Sequence, residues 1–119
     1  MKTPAPLPHF QSRVVPVVVV TDPAQAVPMA EALLAGGVDV IEITLRSAAG
    51  LAAIEAVAKA VPAMQVGAGT VTRASEVAQV LNAGARFALS PGSTPALISA
   101  VLDAGLPFIP GVGTPSEAM

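Results

Sequence analysis

Polar and apolar positions alternate most strictly at Val40-Ile41-Glu42-Ile43-Thr44-Leu45-Arg46. Successive side chains of a strand point to opposite faces. Ile41, Ile43 and Leu45 therefore share one face, and Glu42, Thr44 and Arg46 share the other. The surrounding pattern is that of a parallel α/β sheet, whose strands are normally buried on both faces. A carboxylate, a hydroxyl and a guanidinium on one face of such a strand must line something polar. The mouth of a barrel or a cleft at the end of a sheet meets that need.

The rest of the chain divides into similar units. The β-branched run at residues 14–20 predicts a buried strand, with Pro16 as a bulge or strand start because proline lacks a ladder donor. Thr21 or Asp22 can cap a helix that has Pro23 at its first position and stops at Gly36-Gly37. Strands follow at Val40–Thr44, 64–67, 86–89 and Phe108–Ile109. Helices fall at Gly50–Ala60, 74–82 and Pro95–Ala104, and Ser116-Glu117-Ala118-Met119 reads as the start of another. Three helix ends resemble one another: Ala32 through Gly37, Val80 through Gly84 and Val101 through Gly105 each run into a left-handed glycine cap before an apolar strand.

Strand ends near Val20, Thr44, Gly67, Ser90 and Gly111 give steps of 24, 23, 23 and 21 residues. Uniform βα units on short loops predict a parallel sheet with right-handed crossovers. A doubly wound open sheet is one solution. A (β/α)8 barrel fits better, because every unit is alike and no strand-order switch is visible. A whole barrel takes at least about 200 residues, and this sequence holds about four and a half units. A fragment, a barrel completed by a partner chain and an open sheet all remain compatible with that count. On the barrel-fragment reading, residues 1–13 are an N-terminal extension and 14–119 the N-terminal portion of one TIM-barrel domain.

Composition narrows the function. With 53% hydrophobic residues against 12% charged, the chain can build a core. Three Phe and no Trp or Tyr leave that core to Val, Ile, Leu and Ala. A net charge of −2 with six scattered Lys and Arg gives no basis for nucleic-acid binding. The absence of cysteine excludes disulfides, zinc–thiolate sites and a thiol nucleophile. No apolar run reaches the roughly 18 residues of a membrane span, and the proline-rich start does not resemble a signal peptide. A cytoplasmic protein without metal or cofactor is expected.

The polar residues gather at strand C-terminal ends, where barrel enzymes keep their chemistry. Gly67-Ala68-Gly69-Thr70 is weak evidence by itself, since a tight βα turn demands glycine. Ser90-Pro91-Gly92 reads by default as a turn with a helix cap. Pro110-Gly111-Val112-Gly113-Thr114 can cradle an anion on free N–H groups, although a plain turn explains it as well. Glu42 and Arg46 differ. On a continuous strand they lie roughly 13 Å apart, too far for an ion pair, so a small substrate between them is the better account. His9 lies in the extension, away from any ligand cluster. Lys2 and Lys59 are not placed to be desolvated as a Schiff-base lysine must be.

Taken together, Val15-Pro16-Val17-Val18-Val19, Ala32 through Gly37, Ile41-Glu42-Ile43-Thr44-Leu45-Arg46, Val66-Gly67-Ala68-Gly69-Thr70-Val71, Phe87-Ala88-Leu89-Ser90-Pro91-Gly92 and Ile109-Pro110-Gly111 resemble the 2-keto-3-deoxy-6-phosphogluconate aldolase and 4-hydroxy-2-oxoglutarate aldolase family. The resemblance covers the chain from about residue 13. It implies a homotrimeric (β/α)8 barrel and a metal-free class I aldolase. Such an enzyme releases pyruvate and glyceraldehyde 3-phosphate through a lysine Schiff base. It implies Glu42 as the proton-transfer carboxylate, Arg46 and Thr70 as holders of the pyruvate carboxylate, and Pro91 as a residue packed beside the pyruvate. The family's Schiff-base lysine and phosphate loops belong to strands six to eight, past Met119. The alternative implied by this gap is a non-catalytic half-barrel serving structure or assembly. Another barrel-type phosphate-binding enzyme is a third reading.

Overall fold

The computed structural model describes residues 2–119. Five strands form one parallel sheet in sequential order: β1 (Val17–Val18), β2 (Val40–Thr44), β3 (Gln65–Gly69), β4 (Ala88–Leu89) and β5 (Phe108–Ile109). Helices α1 (Ala26–Ala35), α2 (Gly50–Ala60), α3 (Ala74–Ala83), α4 (Pro95–Ala104) and α5 (Pro115–Ala118) alternate with them. A strictly sequential parallel order has no switch point, which is the barrel arrangement rather than the doubly wound one.

Local chemistry sets the boundaries. Asp22 accepts from the Ala24 N–H at 3.0 Å and opens a single 3-10 turn over Pro23–Gln25 before α1 begins. The left-handed residue after α1 is Gly37, not Gly36; Gly84 and Gly105 take the same conformation after α3 and α4. Glu76 Oε1 accepts from the N–H groups of Thr72 and Arg73 and so satisfies donors at the start of α3. Thr94 caps α4 and Thr114 caps α5, each accepting an N–H three residues on.

β1 is far shorter than the expected 14–20. Pro16 cannot donate, and β1 has only β2 as a neighbour, so the ladder begins after it. The Pro16 carbonyl still accepts from Glu42 N at 2.9 Å. β3 runs two residues past the expected end, because Gly67, Ala68 and Gly69 are strand rather than turn.

The two faces of the sheet differ. Ile41, Ile43, Val66, Ala68 and Ala88 turn toward the helices and meet Ala30, Ile54, Val57, Val80, Leu97 and Val101 in one buried cluster. Each fully buried Val, Leu or Ile contributes about 1.5–3 kcal/mol. The opposite, inner face carries Val17 and Val19, Glu42 and Thr44, Gly67 and Gly69, then Phe87 and Leu89, in register across β1 to β4. An N-terminal arm closes one end of this face. Phe10 packs on Phe87 with ring centroids 5.1 Å apart. The N–H groups of Gln11 and Ser12 donate to the Asp39 carboxylate at 2.8 and 2.9 Å, and these bonds hold that carboxyl below the usual range.

Candidate active site

The inner face at the C-terminal ends of β2 and β3 is where the alternation of β2 takes effect. Glu42 is 7% exposed and Thr44 is 1% exposed, so the polar face is as buried as the apolar one. The glycines of β3 make this possible. A methyl group at Gly67 would overlap the Phe87 ring, and one at Gly69 would meet the Glu42 carboxylate, with Cδ 2.8 Å away. The Glu42 side chain therefore lies across Gly69 and leans toward the strand end. Phe87 fills the space over Gly67, beneath it. The paired glycines follow from close approach of neighbouring side chains rather than from turn geometry.

Burial pushes the Glu42 carboxyl above its ordinary value, and the Arg46 guanidinium opposes that rise without cancelling it. The two groups form no ion pair within 4.0 Å among the described residues. The expected separation of roughly 13 Å assumed a continuous strand, whereas β2 ends at Thr44 and Leu45-Arg46 is a turn. Arg46 is exposed on that turn, and its charge acts to lower the Glu42 carboxyl pKa. Ser47 fixes the same turn by donating to the Val20 carbonyl and accepting from Ala49 N. An exposed guanidinium at the same strand end as a buried carboxyl can receive a small anion.

Thr70 directly follows Gly69 and has φ 58°, the one positive φ at a non-glycine residue among those described. A β-branched residue rarely adopts this conformation, and strain of this kind costs about 1–3 kcal/mol. Replacing Thr70 by glycine therefore relieves strain while removing a hydroxyl. The expected result is a Tm at or above that of the parent. Calorimetry checks it, and a clear fall in Tm contradicts the strain argument.

Pro91 is exposed and lies beyond β4, two strands from Glu42. It lines a separate depression of about 290 Å³ with Thr72 and Ser93. The structure thus draws Glu42, Arg46 and Thr70 toward one strand-end region and leaves Pro91 at its margin. Ser90 does not cap a helix as its turn suggested. Its Oγ accepts from Gly111 N at 3.4 Å, which also engages an N–H of the glycine-rich segment read as a possible anion cradle. Sequence reasoning assigned no role to Thr44, although the alternation placed it on the polar face. It also gave no role to Phe87, for which the scarcity of aromatics was the available signal. Among the described residues no cluster of three His, Asp or Glu could hold a metal ion, and no helix is long and apolar enough to cross a membrane.

Comparison with known proteins gives this geometry a family. The model of the KDPG and KHG aldolases matches residues 9–119. The chain belongs to that family. It is 53% identical over 106 residues to the KHG/KDPG aldolase of Escherichia coli K12, a match spanning 89% of this chain and 50% of that protein. It is 42% identical over 109 residues to the 2-dehydro-3-deoxy-phosphogluconate aldolase of Pseudomonas aeruginosa, again across 50% of the relative. The crystal structure of a KDPG aldolase from Legionella pneumophila, with pyruvate captured as a covalent carbinolamine, superposes with TM-score 0.86 at 44% identity. It covers 91% of this chain and 52% of that one. The Zymomonas mobilis ZM4 enzyme with 3-phosphoglycerate superposes with TM-score 0.80 at 43% identity, across 86% and 48%. The chain thus spans about half the length of these relatives and carries the first five strands of the (β/α)8 barrel.

Proposed function

We propose that residues 1–119 are the proton-transfer half of a class I aldolase that cleaves 2-keto-3-deoxy-6-phosphogluconate to pyruvate and glyceraldehyde 3-phosphate, and that also accepts 4-hydroxy-2-oxoglutarate. The observation that carries this reading is Glu42: a buried carboxyl with raised proton affinity, in a family of aldolases, under an exposed guanidinium. Residues 14–119 are then the N-terminal portion of one barrel domain, with 1–13 as an extension. The working protein is a cytoplasmic homotrimer.

An aldol cleavage removes a proton from a hydroxyl as the carbon–carbon bond opens. It then returns one to the carbon that becomes the methyl group of pyruvate. One carboxyl with a pKa nearer neutrality can serve as both base and acid. Arg46 offers the planar fork that suits a carboxylate, and Thr70 adds a hydroxyl beside it. Pro91 packs against the pyruvate at the rim. The lysine that forms the Schiff base, and so takes up the electron pair of the breaking bond, lies in the remainder of the protein.

Borohydride with pyruvate tests the reading on the full-length protein. A covalent adduct on a lysine outside residues 1–119 supports it, and no adduct refutes it. Arg46→Lys keeps the charge and loses the fork. It is expected to raise KM for keto acids about tenfold, corresponding to one charge-assisted hydrogen bond, with kcat little changed. An unchanged KM with a collapsed kcat would make Arg46 a catalytic group instead of a carboxylate clamp.

A further inference from the structure

Thr44 is the polar side chain of the inner face of β2 that the proposed reaction leaves without a task. Its Oγ1 is the one fully buried side-chain N or O atom with no protein hydrogen-bond partner among the described residues. A buried hydroxyl without a partner costs stability, and such groups are few in native proteins. Valine would fill the same volume without that cost.

Its neighbour supplies a reason for the hydroxyl. Thr44 pairs with Gly69, and the Glu42 carboxyl carbon lies 2.8 Å from the Cβ position of that same glycine. Neighbouring strands are about 4.8 Å apart. The Glu42 side chain leaves β2 two residues before Thr44 and leans to the step that Thr44 occupies. Carboxyl and hydroxyl are thus neighbours that do not yet touch, and a change of Thr χ1 rotamer swings Oγ1 toward or away from the carboxyl.

The other groups facing Glu42 offer little competition. β1 presents Val17 and Val19, β3 presents Gly67 and Gly69, and β4 presents Phe87 and Leu89, with Phe10 of the N-terminal arm packed on Phe87. Arg46 is the charged group that acts on it. No side-chain or backbone donor holds the Glu42 carboxylate among the described residues, so the unpartnered Thr44 hydroxyl is the donor at hand.

We propose that Thr44 is a positioning residue for Glu42: its hydroxyl donates a hydrogen bond to the carboxylate once Glu42 has given up its proton. This rests on Glu42 being the proton-transfer group. The bond matters in the charged form, where charge-assisted hydrogen bonds are strongest, and it fixes the orientation in which the carboxylate takes the next proton.

The test uses the full-length protein with Thr44→Val and Thr44→Ser, following the Glu42 Cδ resonance by carbon-13 NMR across pH alongside the pH profile of kcat/KM. Removing a donor to the charged form raises the pKa. Thr44→Val should move the Glu42 titration up by about one pH unit, and the acid limb of kcat/KM should move with it. Thr44→Ser should leave both in place. Below the Glu42 titration, Thr44→Val should melt at or above the parent temperature, because the orphan hydroxyl is gone. Should the valine variant not fold, Thr44→Ala must shift Glu42 in the same direction. A Glu42 titration unchanged in the variant lacking the hydroxyl, or shifted equally by serine, overturns the proposal. A shift in a protein that shows no aldolase activity upholds the Thr44–Glu42 bond and refutes the aldolase reading.

Discussion

Glu42→Gln in the full-length protein is expected to lower aldol cleavage by about 10²–10⁴-fold, the usual contribution of a positioned general acid–base. Glutamine keeps the shape that lies across Gly69 but cannot accept the proton. Because Glu42 is buried, its folded-state pKa lies above the unfolded value. Such a group contributes stability that is fully present below the unfolded pKa and lost as pH rises through the folded one. The amide removes that loss. The variant should therefore equal or exceed the parent in Tm at neutral pH while its activity falls. Asp39 has the opposite sign: its pKa is lowered by the Gln11 and Ser12 N–H groups, so its contribution is present above the unfolded pKa and lost in acid. Circular dichroism and steady-state rates across pH check the Glu42 prediction. Activity within about threefold of the parent, on an intact fold, would sink the assignment.

That expected separation of activity from stability rests on how the sheet is built, and much of that was legible beforehand. β2, α2, α4 and β5 stand where periodicity and caps put them, because Thr94-Pro95 and Gly105 bound α4 and Pro62 stops α2. β3 was misjudged at its end for a physical reason. Gly67 and Gly69 look like a turn in sequence, whereas the side chains of Phe87 and Glu42 from the flanking strands occupy the space a Cβ would need. The end of β2 at Thr44 was legible, but the alternation ran on to Arg46, and no pattern of polar residues announces that Leu45-Arg46 is a turn. The left-handed Thr70 had no signal at all, since threonine is a residue one expects elsewhere. Nor could the sequence tell that the hydroxyl of Thr44 is left without a partner; that depends on where Glu42 leans.

Residues 1–119 produced alone should associate and should form no Schiff base. β1 is hydrogen-bonded only to β2 and β5 only to β4, so each has one open edge. Val14 is 65% exposed and Val17 55%, with Val19 and Ile109 also exposed on the inner face. Open parallel edges beside apolar surface recruit further strands, and a net charge of −2 supplies little repulsion. Light scattering should therefore report species larger than a monomer. The two lysines lie elsewhere: Lys2 pairs with Asp103 and Lys59 with Glu55, with side chains 61% and 75% exposed. A Schiff-base lysine needs an apolar or cationic surrounding, and these two exposed lysines each face a carboxylate instead. Borohydride with pyruvate should leave the mass of residues 1–119 unchanged. A soluble monomer that unfolds in one cooperative transition refutes the association. Pyruvate mapped to Lys2 or Lys59 refutes the proposed division of labour, in which Glu42 holds and returns the proton and the amine comes from outside residues 1–119.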